Sequence, residues 1–332
     1  MGGRVARGSI DARSGTLNTP RLQLLLIAML AVALGCSPAT PQKVAPNTAT
    51  GSLRIVAANY PLQYFARRIA GDLAVVTQPA PADEDPADWQ PATNQLRAFI
   101  RDCQAADLIL LNTPGYSRWV DWGSLAERQC VHTTASFADH LMPVEEQFRQ
   151  GAHQHGTGRQ HSHAVLAVTV WLDPQLAIRQ AAAISAALSR LRPAQAQTFA
   201  ANLRVLENDL QSLHREWTQL LDGREAMPLL ASHPVYQYFQ KRYRLNLQSV
   251  HWEPDEMPDE KEWAAFAVLL AKHPARWMLW EDAPLPAIAA RLRGLGVMPV
   301  VLAPGFAAPD SGDYLDLMRR NTAELRRALD GR

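Results

Sequence analysis

Residues 193–223 read PAQAQTFAANLRVLENDLQSLHREWTQLLDG. Phe199, Leu203, Leu206, Leu210, Leu213, Trp217 and Leu220 recur at alternating steps of four and three, which is one apolar stripe along a helix. Pro193 suits the first helical turn, where its missing N–H is no loss, and Gly223 suits the C-terminal cap. Roughly thirty residues at about 1.5 Å each make a rod of about 45 Å, longer than an ordinary globular helix. A rod of that length can run along two lobes and permits only small motions between them.

What flanks the rod supports this. On its N-terminal side, strands over Arg54–Tyr60, Leu73–Thr77, Asp107–Asn112 and Val131–Ala135 alternate with helices over Pro61–Gly71 and Ala92–Gln104. An apolar run from Leu166 to Leu172 reads as a further strand, and Asp173-Pro174 opens an alanine-rich helix to Leu191. Beyond the rod the alternation resumes. Strands are expected over Pro228–Ser232, Leu245–Trp252, Arg276–Glu281 and Val297–Leu302, with helices over Pro234–Tyr243, Glu260–Lys272 and Pro286–Leu295 and a last one from Tyr314. Such alternation predicts parallel βαβ units. The fold expected is therefore α/β: two βα lobes with mainly parallel sheets, joined by one long rigid helix. The divisions are an N-terminal lobe at 53–192, the linking helix at 193–223 and a C-terminal lobe at 224–332. Ligands of such sheets bind outside the carboxyl ends of the strands, so the residues just after each strand carry the functional argument.

A chain of 332 residues with 47% hydrophobic and 20% charged residues is globular, and 332 residues accommodate two domains. The net charge of +1 gives no field for nucleic-acid binding. Arg4, Arg7, Arg13 and Arg21 precede an apolar run from Leu22 to Leu34 that is short for a membrane span. The run ends in Ala33-Leu34-Gly35-Cys36-Ser37. This resembles a bacterial lipoprotein signal over residues 1–36, with Cys36 lipidated, although Ala33 stands where leucine is usual. Residues 37–52, rich in Pro, Thr and Ala, read as a flexible tether. After Cys36 only Cys103 and Cys130 remain. In an oxidising compartment they are able to pair, and spacing alone does not decide it.

Two groups of residues suit a metal. His153, His155, His161 and His163 lie in a polar glycine-containing loop, an arrangement for modest-affinity binding, since ordering a flexible loop costs entropy. His233 follows a strand and precedes Pro234, His251 ends a strand, and Glu253, Glu256 and Glu281 lie at neighbouring strand ends. His233 and His251 with Glu253 and Glu281 form a donor set suited to zinc. Trp89, Trp171 and Trp252 also fall in segments facing the expected cleft, where aromatic walls would favour an organic molecule or a metal chelate. No nucleophile elbow, phosphate loop or zinc-hydrolase helix motif is present, so the chain is expected not to be an enzyme.

Longer motifs carry a family resemblance that covers almost all of the exported chain. They are Asn59-Tyr60-Pro61-Leu62 with Phe65-Ala66-Arg67-Arg68, Asp85-Pro86-Ala87-Asp88-Trp89-Gln90-Pro91, Val170-Trp171-Leu172-Asp173-Pro174, Ser232-His233 before Tyr236, and Asp313-Tyr314-Leu315-Asp316-Leu317-Met318. Together they resemble the zinc- and manganese-binding solute-binding lipoproteins of bacterial ABC importers. The resemblance implies two βα lobes bridged by one helix, capture of zinc or a related divalent metal such as manganese, delivery to an ABC transporter permease, and a lipid anchor on the periplasmic side of the membrane. It also implies ligands that this chain lacks. Ala87 and Thr169 stand where members carry histidines, Ala303 aligns with an acidic ligand, and only His233 is retained. These departures leave open a small organic ligand or chelate as cargo, or a non-transport adhesin or regulatory role.

Overall fold

A computed structural model describes residues 51–81, 84–122, 125–144, 153–155, 159–161 and 166–331. The signal segment with Cys36, most of the tether and His163 lie outside the described residues. In the N-terminal lobe, β1 (Leu53–Ala57), β2 (Ala74–Thr77), β3 (Leu108–Leu111) and β4 (Cys130–His132) form one sheet in the order β2-β1-β3-β4. Every pairing in it is parallel. Strand β3, Leu-Ile-Leu-Leu, is buried along its length, as expected of a parallel strand covered on both faces. Helices α1 (Tyr60–Ala70) and α2 (Leu96–Gln104) make the crossovers. A separate antiparallel ribbon joins β5 (His153–His155) to β6 (Arg159–His161).

Helix α3 (Pro174–Leu191) is capped by Asp173, whose carboxylate accepts from the Gln175 N–H. The linking helix α4 spans Ala196–Leu221 and buries Phe199, Leu206, Leu210, Leu213, Trp217 and Leu220. It begins three residues later than its stripe predicts. Proline disfavours helical geometry in the residue before it, and Arg192, at φ −130° and ψ 70°, breaks the chain there. Pro193–Gln195 form only a 3₁₀ turn. At the other end Gly223 takes φ +74°, a left-handed conformation that glycine adopts without strain.

The C-terminal lobe repeats the architecture. Strands β7 (Pro228–Ala231), β8 (Asn246–Ser249), β9 (Trp277–Trp280) and β10 (Met298–Val301) lie parallel in the order β10-β9-β7-β8. They alternate with α5 (Gln237–Tyr243), α6 (Glu260–Lys272) and α7 (Pro286–Gly294), and α8 (Tyr314–Asp330) closes the chain. The N-terminal end of α8 returns to the first lobe, where the Tyr314 ring meets Phe65 edge-on at 5.3 Å.

One apolar core runs through both lobes along α4, and a second, around Trp252, Trp263, Phe266 and Trp280, fills the C-terminal lobe. Polar ties cross between the lobes. The Trp171 indole donates to the Pro304 carbonyl at 2.7 Å, and the Tyr314 hydroxyl donates to the Trp171 carbonyl at 2.9 Å. Arg242 holds both oxygens of Asp173 at 2.8 Å. The Thr169 hydroxyl donates to the Val235 carbonyl.

Two expectations are corrected here. Residues 166–172 are not a strand: Leu166 makes a single antiparallel bridge to Pro143, and Val170–Leu172 form a 3₁₀ turn. The run is apolar because it is buried, and burial alone does not distinguish a strand from a buried turn. Nor do the tryptophans line a cleft as a group. Trp171 and Trp252 are buried packing residues, while Trp89 packs edge-on against Phe99 at 5.3 Å. Cys103 and Cys130 are both free thiols.

Candidate metal centre

In the C-terminal sheet, the chain leaves β7 for β8 on one side while β9 pairs on the other, so a crevice opens at the carboxyl ends of β7 and β9. His233 lies two residues beyond β7, Glu281 directly beyond β9, and His251 and Glu253 just beyond β8. Backbone bonds carry the sheet pairing past the strands and fix these residues in register. Ser232 N–H donates to the Leu279 carbonyl at 2.8 Å, Val250 to Ala231 at 2.9 Å, and Trp252 to Ser232 at 2.7 Å. His251 is thereby held between two anchored neighbours beside His233. The loops after β8 and β9 are tied by Leu285 N–H donating to the Pro254 carbonyl at 2.9 Å.

The side chains converge. The imidazoles of His233 and His251 stand 4.1 Å apart, tilted by 44°. His233 Nδ1 lies 3.6 Å from a Glu253 oxygen and 3.8 Å from a Glu281 oxygen. One donor atom from each of His233, His251 and Glu253 fits within 4.8 Å of the others, the only such group of three among the described residues. Tetrahedral ligands at zinc distances stand about 3.4 Å apart, so a small inward movement would close the set. Glu281 is enclosed by protein, although 23% of its side chain is still exposed. That enclosure pushes its carboxyl well above the usual carboxylate range, and the charges of Glu253 and Asp85 push it the same way. Glu253 and Glu281 both face His233, and a dication bound there would offset the repulsion between the two carboxyl groups.

A model of the family described as zinc-uptake complex component A periplasmic, ZnuA, matches residues 55–328, most of the chain. The chain belongs to the ZnuA family. It is 25% identical over 298 residues to the zinc-binding protein AdcA of Streptococcus pyogenes, covering 85% of this chain and 57% of that protein. It is 24% identical over 286 residues to the high-affinity zinc uptake system protein ZnuA of Bacillus subtilis, covering 83% of this chain and 88% of that one. Among solved structures, the zinc-bound ZnuA-like domain of Streptococcus pneumoniae AdcA superposes at a TM-score of 0.70 with 22% identity, covering 84% of this chain and all of that domain. The chain thus spans little more than half the length of the streptococcal relative.

Ala87, Thr169 and Ala303, where the resemblance implied ligands, each have another structural occupation. Thr169 is fully buried, and its hydroxyl ties the lobes together at Val235. Ala303 is bracketed by Asn321, whose amide accepts from the Ala303 N–H at 3.1 Å and donates to its carbonyl at 2.8 Å. Ala87 sits in a turn whose N–H donates to the Asp85 carboxylate at 2.8 Å. Asp85 of the same loop acts electrostatically on both Glu281 and the Tyr116 hydroxyl, and Asp88 acts on Tyr116 as well. Asn59 stands in the Asn59-Tyr60-Pro61-Leu62 motif, but the loop after β3 that carries Tyr116 belongs to none of the motifs. Applying the carboxyl-end rule to β3 as well would have found it. In the histidine ribbon, His153 is the register partner of His161 and His155 that of Arg159. The ribbon is a sheet of its own and shares no strand with the C-terminal sheet.

Proposed function

We propose that the chain is an extracytoplasmic solute-binding protein of an ABC importer. In this reading it captures zinc as cargo on His233, His251, Glu253 and Glu281 and passes it to a membrane permease. The observation that carries the reading is the convergence of two imidazoles and a carboxylate within 4.8 Å at the crevice of the C-terminal sheet. The donor chemistry fits: neutral imidazole and carboxylate oxygen are ordinary zinc ligands, and an enclosed Glu281 supplies a fourth that would exchange its proton for the metal. The names of the AdcA and ZnuA relatives point to the same cargo. Related divalent metals use the same donors, with manganese the weakest in the usual affinity order, so selection among them would also depend on geometry and metal availability.

With Trp171 and Trp252 buried, an organic cargo loses the aromatic walls that would have supported it. Cys36 would anchor the chain on the periplasmic side of the membrane, and the sequence stretch with His153, His155, His161 and His163 would be a weaker accessory metal site. The chain acts here as a carrier and not as an enzyme.

The test is calorimetric zinc titration of the chain beside His233→Ala and a variant lacking residues 153–163. Tight binding at one site, lost in His233→Ala and kept without the ribbon, is the expected result. Binding that survives His233→Ala and disappears with the ribbon would overturn the cleft as the cargo site.

A further inference from the structure

The turn that carries His233 is held from both lobes. Within its own lobe, the Ser232 N–H before it donates to the Leu279 carbonyl at 2.8 Å, and the Tyr236 hydroxyl after it donates to the Leu302 carbonyl at 2.9 Å. Between these anchors the Val235 N–H donates to the His233 carbonyl at 2.9 Å. That bond closes a three-residue turn centred on Pro234, whose ring fixes φ in the range such a turn needs. The Val235 carbonyl is taken by the other lobe, where it accepts from the Thr169 hydroxyl.

Thr169 ends a buried polar chain. The Val168 carbonyl beside it accepts from the Asn112 amide at 2.7 Å, and the Gln180 amide donates to the Asn112 Oδ1 and to the Thr133 hydroxyl, each at 3.0 Å. Asn112 directly follows β3, Thr133 directly follows β4, and Gln180 lies on α3. The chain is thereby fixed to the N-terminal sheet and to a helix that covers it. Asn112, Thr133, Gln180 and Thr169 are all buried. Polar side chains so placed have given up water and keep their positions by bonding to one another and to the backbone. Valine has nearly the shape of threonine and no hydroxyl to desolvate, so packing alone does not account for Thr169.

We propose that Thr169 is a positioning residue for His233: from the N-terminal lobe, its hydroxyl fixes through Val235 the turn that aims the imidazole into the cargo cluster. This role rests on the cargo site proposed above. His233 meets that cluster with its ring 4.1 Å from the His251 ring and its Nδ1 3.6 Å from a Glu253 oxygen. A turn held on both sides has less freedom to lose when the metal arrives, which is how preorganised sites gain affinity. Position 169, where the family resemblance implied a ligand, thus still serves the metal through a hydrogen bond to the backbone beyond His233. Because Thr169 and His233 belong to different lobes, the pose of the ligand depends on the lobes being together. By linkage, zinc must strengthen the Thr169–Val235 contact by the same factor that the contact adds to zinc affinity.

Zinc affinity of the full chain, measured against a competing chelator, and the visible spectrum of the cobalt(II) form test this in Thr169→Val and Thr169→Ser. Thr169→Val is expected to weaken zinc binding about tenfold, as partners behind metal ligands commonly do, and to shift the cobalt spectrum. Thr169→Ser keeps the hydroxyl and should restore both. In the metal-free chain, the NMR signals of the His233 imidazole should move in Thr169→Val and stay in place in Thr169→Ser, which a loss of stability alone would not produce. Thr169→Ala, which leaves no methyl against the Val235 carbonyl, takes the place of Thr169→Val if that variant does not fold, with the same outcomes expected. A lower melting temperature for Thr169→Val, with wild-type zinc affinity, cobalt spectrum and His233 signals, would overturn the inference and leave Thr169 a tie between lobes only. Affinity lost equally in Thr169→Val and Thr169→Ser would overturn it as well. His233→Ala with undiminished zinc affinity would instead overturn the cargo site on which it rests.

Discussion

The two lobes present matching crevices of different chemistry. Both sheets are four parallel strands whose order reverses beside the first strand, and both place the residues after their first and third strands in the crevice. In the C-terminal lobe those residues are His233 and Glu281, joined by His251 and Glu253. In the N-terminal lobe they are Asn59 and Tyr116, and the positions where a metal ligand would be expected are spent on packing and turns. One architecture thus supports a charged, imidazole-bearing wall and a hydroxyl–amide wall. Sheet topology dictates where a ligand sits, and the side chains at four strand ends dictate what it is.

Four changes test this asymmetry. The largest effect is expected from His251→Ala, which removes a donor from the convergent group and should weaken zinc binding roughly 100-fold, about 3 kcal/mol, in a chelator competition. A loss below threefold would place the cargo elsewhere. Next, the N-terminal wall should resist conversion at one position and accept it at another. Thr169→His overfills a fully buried site and strips the Val235 carbonyl of its donor, so it should cost about 2 kcal/mol and lower the melting temperature by several degrees. Ala87→His, at a partly exposed position, should melt like the wild type and tighten zinc binding.

The smallest effect concerns Glu281. Its carboxyl is raised in the folded state, so the folded chain holds more protons than the unfolded chain between the ordinary glutamate range and that raised value. The wild-type metal-free stability contributed by this group therefore falls as pH rises through that window. Glu281→Gln should abolish the slope, raising the melting temperature at pH 8 and leaving it unchanged at pH 4, measured with a chelator present.

Much of this was legible in the sequence where local chemistry and tertiary position agree. The stretch Asp173-Pro174 marks a helix start that the structure keeps at Pro174, because a cap is a local hydrogen bond, and the helix expected from Glu260 begins there under a capping box of Asp259 and Glu262. The C-terminal cluster could be read because each member follows a strand by one to four residues. The segment 166–172 could not, since its apolar residues serve a buried turn between lobes. Tyr116 was missed for a related reason: its hydroxyl meets the Asn59 side chain, 57 residues away in sequence, only once β1 and β3 pair in the sheet. Three substitutions at family ligand positions were visible as losses, yet what Thr169 and Ala303 do instead depends on Val235 and Asn321.

The bonds between the lobes also act on time. Widening the crevice would break the Trp171–Pro304, Tyr314–Trp171 and Thr169–Val235 hydrogen bonds and the Arg242–Asp173 pair together. At about 1 kcal/mol for each neutral bond and about 2 for the charged one, the open form would lie roughly 5 kcal/mol uphill, near one molecule in several thousand. Cargo would then escape only as often as that rare opening, and a docking partner that strained even one or two of these bonds would set the clock for release.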